Sequence, residues 1–152
     1  MKDFSVPAIQ KRCRGISRFE DIFSSGLPSI GNIRRRYGYD FTQAYIEIWI
    51  VNLREFINVG KKMNDEQTRE TASLILDTYP FMNLADIHFI FKSAKLGRFG
   101  KQYDRLDGQL ILSWFEEHFG KRCNAAAETA IMEADKYRHG SDYLMERIHK
   151  HA

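Results

Sequence analysis

The chain has 152 residues, 43% of them hydrophobic, including 11 Phe, 7 Tyr and 2 Trp; this suffices for one packed domain and excludes global disorder. A formal charge of +3 is too mild for indiscriminate binding to polyanions, but it is unevenly placed: residues 11–37 hold seven basic side chains against two acids, and residues 92–105 hold five against Asp104. Cys13 and Cys123 make neither a CxxC nor a zinc spacing, and the longest apolar run, Ile48-Trp49-Ile50-Val51, is too short to span a bilayer, so the reading is a cytoplasmic protein with reduced thiols, no cofactor and no membrane partner.

Pro7, Gly15, Gly26, Pro28, Gly31 and Gly38 punctuate the first forty residues, so any helices there, for example at 17–23 and 29–37, are expected to be short. Residues 1–39 read as a basic N-terminal arm or a loosely packed subdomain, and residues 40–152 as the helical domain. Asp40 with Gln43 has the form of a capping box, and Phe41, Ala44, Tyr45, Ile48 and Phe56 recur at helical spacing up to Gly60. Asn64 with Gln67 repeats the signature before a helix that faces Ala72, Ile75, Leu76 and Tyr79 inward and stops at Pro80. Asn83 with Asp86 opens a helix over 84–96, closed by Gly97. Asp107 opens another to Phe119, with Leu110, Ile111, Trp114 and His118 on one face and Gly120 as its stop; residues 121–151 read as one helix interrupted near Gly140, or two short ones. No segment has the period-2 alternation of a strand. The expected fold is all-α, a single compact helical domain of about five to seven helices.

The chemistry gathers at residues 84–119. His88, Lys92 and Lys95 form one strip at i, i+4, i+7 between two apolar arcs of their helix. Such a strip either contacts phosphates, releasing their condensed counterions, or snorkels over the core as a solvated face. The loop continues it with Arg98, Phe99, Lys101, Tyr103 and Arg105. Phe99 and Tyr103 are candidates for stacking on unpaired bases, or for packing back on the domain. Gly97-Arg98-Phe99-Gly100 has a GxxG form that lets backbone N–H groups approach phosphate; its plain reading is a helix C-cap followed by a turn. Arg34, Arg35 and Arg36 read as an electrostatic contact rather than a sequence reader. No nucleotide-binding or hydrolase fingerprint occurs, His118 reads as a hydrogen-bonded core histidine or a general base, and the expectation is a non-enzymatic protein. Glu146 and His149 share the i, i+3 spacing of half a di-iron site, but at a chain end this reads as solvated surface.

The segment 83–92, the K-x-G-x-[FY]-G-x-x-Y loop of 95–103 and the aspartate-led helix after Leu106 resemble a segment shared by small uncharacterised proteins of phages and conjugative elements of gut bacteria. That resemblance covers about a quarter of the chain and supplies no catalytic residues. It implies an accessory role in mobile-element replication or DNA transfer, helicase loading included. The combined expectation is a DNA-associated accessory protein that binds single-stranded or forked DNA non-specifically through Lys92, Lys95, Arg98, Phe99, Lys101, Tyr103 and Arg105, with Arg34, Arg35 and Arg36 adding charge. The rival is an adaptor or regulator in which the same loop meets an acidic protein partner. The sequence leaves the oligomeric state open.

Overall fold

The structure, a computed structural model, describes residues 3–57, 60–100 and 105–150. The described residues form seven α-helices and no strand: α1 (Val6–Arg12), α2 (Phe19–Phe23), α3 (Ile30–Tyr37), α4 (Tyr39–Phe56), α5 (Asp65–Thr78), α6 (Leu84–Lys95) and α7 (Gly108–Lys150). The all-α expectation is met. The chain divides into two units, Met1–His118 and Phe119–Ala152.

The first unit is built from capped helices around one apolar interior. Ser29 caps α3 by accepting from Asn32 N–H at 3.1 Å. The boxes read from sequence form at both expected places. Asn64 and Gln67 bond reciprocally to each other's backbone N–H at 2.8 and 3.0 Å, as do Asn83 and Asp86, at 3.0 and 2.9 Å. Asp107 accepts from Leu110 N–H at 2.9 Å and so starts α7.

Several expectations are corrected. The segment 3–39 is no loose arm: Val6, Ile9, Cys13, Ile22, Leu27, Ile30 and Ile33 are all buried, and the chain divides after His118 rather than after residue 39. Pro7 lies in the first turn of α1, where its missing N–H is not needed. The cap of α4 is Gly38, with φ 91° and ψ 170°, and Asp40 lies one position inside the helix. In α4 the buried face carries Thr42, Ile46, Trp49, Ile50 and Leu53, whereas Phe41, Ile48 and Phe56 are exposed. This helix is apolar on more than one side, so spacing alone does not say which arc is buried. Finally, α7 runs through both Gly120 and Gly140. A helical glycine costs about 1 kcal/mol, which the Ala, Glu, Lys and Arg around each offset.

The second and third helices are fastened to the turn between α5 and α6 by backbone. Ile30 N–H donates to Met82 O at 2.8 Å, Gly31 N–H to Pro80 O at 2.7 Å, and Leu84 N–H to Pro28 O at 3.2 Å. The Asn83 side-chain amide donates to Ile22 O at 3.0 Å. The α6 start is also tied to α7: Asp86 Oδ1 and His118 Nε2 lie 2.8 Å apart, both groups buried, with the His118 ring against Phe19 and Phe89 at 5.1 and 5.7 Å between centroids.

Candidate nucleic-acid interface

Two basic clusters emerge in the first unit. In the α6 cluster, Lys95, Phe99 and Arg105 of the expected contact residues are engaged by the fold. His88 is buried, and desolvation, reinforced by the charges of Lys92 and Lys95, pushes its pKa down to about 4, so the ring is neutral at physiological pH. Its Nε2 has no hydrogen-bond partner among the described residues. Lys95 is half-buried: its Nζ donates to Asn52 Oδ1 at 2.7 Å and lies 5.4 Å from the Phe56 ring centroid, and burial lowers its pKa. These contacts turn Lys95 towards α4.

Beyond the helix, Gly97 takes φ 74°, as a C-terminal glycine should, and Arg98 N–H closes back on Ser93 O at 2.9 Å. The side chain of Arg98 is exposed and that of Lys92 partly so. Phe99 stacks on Trp114, with centroids 5.6 Å apart and planes 13° from parallel, so this face of its ring is already covered by protein. Arg105 pairs with Asp107 at 3.1 Å while remaining largely exposed. Lys101 and Tyr103 lie outside the described residues. The GxxG segment is thus a helix end followed by a turn, with Gly100 at φ 123°.

The α3 cluster is better organised than the sequence indicated. Ile30 and Ile33 anchor the helix in the core, which leaves Arg34, Arg35 and Arg36 exposed in its last turn. Cations there also complement the partial negative charge of the helix C-terminus. Each guanidinium is held: Arg34 lies 5.1 Å from the Tyr39 ring, Arg36 lies 5.5 Å from the Tyr37 ring, and Arg35 donates to Asn32 Oδ1. Gly38 then reverses the chain into α4 in a conformation accessible essentially to glycine.

That reversal sets Tyr37 against Phe41, with ring centroids 4.8 Å apart and both side chains exposed. The pair lines a groove of about 560 Å³ together with Phe4, Pro7, Ile33 and Ile48. The Tyr45 hydroxyl donates to Phe4 O beside it, which fixes the N-terminal segment as one wall. The groove is the feature sequence reasoning missed. Its available signal was the aromatic directly after the arginine run, followed four residues later by a second.

Among the described residues no three His, Cys, Asp or Glu side chains gather as a metal site, and no helix is long and apolar enough to cross a membrane. In comparisons with known proteins, no family model, curated sequence or solved structure matched this chain.

Proposed function

We propose that this protein is a non-enzymatic, nucleic-acid-associated accessory of the kind used in mobile-element replication or transfer, acting in the cytoplasm and binding single-stranded or forked DNA with little sequence preference. The observation that carries the reading is the fan of Arg34, Arg35 and Arg36 beside the exposed Tyr37–Phe41 ring pair. Phosphates require clustered cations, and unpaired bases require apolar faces on which to stack; the two occur here within eight residues. Lys92 and Arg98 add charge from the end of α6. Guanidinium groups on one helical turn grip a backbone without reading base edges, which is why sequence preference is expected to be weak.

The test is fluorescence anisotropy of labelled single-stranded and duplex oligonucleotides over a salt series. Neutralising five phosphates on a single strand gives a slope of log K against log[salt] of roughly −3.5. The triple variant R34E/R35E/R36E abolishes binding while its helical circular dichroism is retained, and Y37A/F41A weakens single-strand binding more than duplex binding. Absence of binding at low salt overturns the reading.

A second reading has its own support. An apolar groove next to a cationic rim also fits an acidic peptide that inserts hydrophobic anchors, as in an adaptor of a helicase or other replication enzyme. In that case the same variants leave oligonucleotides unbound throughout and lower affinity for an acidic amphipathic peptide.

A further inference from the structure

We propose that the part of α7 in the unit Phe119–Ala152 pairs with the same segment of a second copy of this chain, forming an antiparallel two-helix coiled coil centred near residue 139. From residue 130 to residue 150 every residue is exposed. Yet large apolar side chains are plentiful there: Ile131 is 61% exposed, Leu144 60%, Met145 56% and Ile148 61%. A helix that stands in water on all sides does not retain such residues by solvation alone.

Their spacing is that of a seam. Ala130, Ala134, Tyr137, Ser141, Leu144 and Ile148 alternate at steps of four and three, the period of a left-handed coiled coil. The sizes along the seam identify the occupant and its direction. The small residues fall mostly in the first half and the large ones mostly in the second. With a second copy running antiparallel, Ala130 meets Ile148, Ala134 meets Leu144, and Tyr137 meets Ser141, each layer occurring twice about the two-fold. Every layer then holds one large and one small side chain, and the helices keep one separation throughout. A parallel in-register pair would stack Ala on Ala at one end and Leu on Leu and Ile on Ile at the other, leaving voids or splaying the helices.

The flanking positions agree. In the antiparallel register Glu133 lies across from Arg147 of the second copy, twice, and Ile131 lies across from Met145, twice. Arg147 is already directed by its own Tyr143 ring, 5.9 Å away. One like-charge approach occurs, Arg138 with its own copy at the centre; Asp135 and Asp142 lie three and four residues away on the same helix to offset it.

The experiment is sedimentation equilibrium of the full chain, with charge-exchange variants. The wild type is a concentration-dependent dimer, and L144E/I148E is a monomer that keeps its helical circular dichroism. E133R weakens the dimer roughly five- to tenfold, and E133R/R147E restores it, whereas a parallel pair would be restored by E133R/R138E. Orientation is read separately in a C13S/C123S background: A134C/L144C forms an interchain disulfide and A134C alone does not. A monomer at all concentrations up to about 100 µM, a dimer unaffected by L144E/I148E, or crosslinking of A134C alone would each overturn the proposal.

Discussion

Replacing Asp86 with alanine removes one side chain that serves two helices. Its Oδ2 accepts from Asn83 N–H at 2.9 Å and its Oδ1 lies 2.8 Å from His118 Nε2, the carboxylate being fully buried and the ring 3% exposed. Loss of the cap costs about 1 kcal/mol. The His118 nitrogen, left in the interior with no carboxylate opposite it, adds about 2–3 kcal/mol. A total of about 3–4 kcal/mol is a large part of the 5–15 kcal/mol typical of a domain and corresponds to a fall in Tm of roughly 6–16 °C for a chain of this size. Urea unfolding followed by tryptophan fluorescence reads it directly, since Trp114 lies one turn from His118. Asp86→Asn should cost less, because its amide oxygen can still accept from Asn83 N–H. A double-mutant cycle with His118→Ala should show coupling well above the 0.3–0.5 kcal/mol expected of independent sites. A cost below 1 kcal/mol for D86A, or additive effects in the cycle, would refute the view that this pair joins α6 to α7.

Three further outcomes follow from the same geometry. His88 has a folded pKa of about 4 against an ordinary 6.5, so the unfolded chain takes up the proton first; stability is fully present above pH 6.5 and falls by about 2 kcal/mol towards pH 4 after allowance for solvent screening. His88→Leu should flatten that part of the profile, measured as the difference in urea midpoint between pH 7 and 4.5. Gly38→Ala forces an L-residue into φ 91°, ψ 170° and should cost about 1–3 kcal/mol, with a lower Tm in calorimetry. Phe99→Ala, losing the stack on Trp114, should cost about 1–2 kcal/mol while leaving oligonucleotide affinity within about twofold; a large loss of affinity in a variant of unchanged stability would return Phe99 to the binding surface.

What could be read from sequence depended on how far apart the partners lie. The boxes Asn64/Gln67 and Asn83/Asp86 were legible because each closes within three residues. The same shape misled at Asp40/Gln43, where Gly38 caps the helix through its backbone conformation and no side-chain signature marks it. The α6 cluster was recognised as a run of charge, but its fate was set by distant residues. Asn52 and Phe56 of α4 hold Lys95, and Trp114 of α7 covers Phe99. Nothing local to residues 92–105 announces those partners. His118 was one of two readings, core histidine or base, and its Asp86 partner 32 residues earlier places it inside the fold. The groove at Tyr37 and Phe41 is hidden from sequence because helical spacing does not say which apolar side of α4 is buried, and Phe41 lies on the exposed one.

The backbone fastening of residues 28–31 to residues 80–84 bears on the order in which the chain can fold. Two amides and one carbonyl of residues 28–31 find their partners only some fifty residues later. On a ribosome, the first three helices therefore emerge with Ile9, Ile22 and Ile30 uncovered and must wait for the α5–α6 turn before they can close over the core. Nascent chains stalled before residue 80 should expose these isoleucines to chaperones, and chains stalled well beyond residue 118 should not.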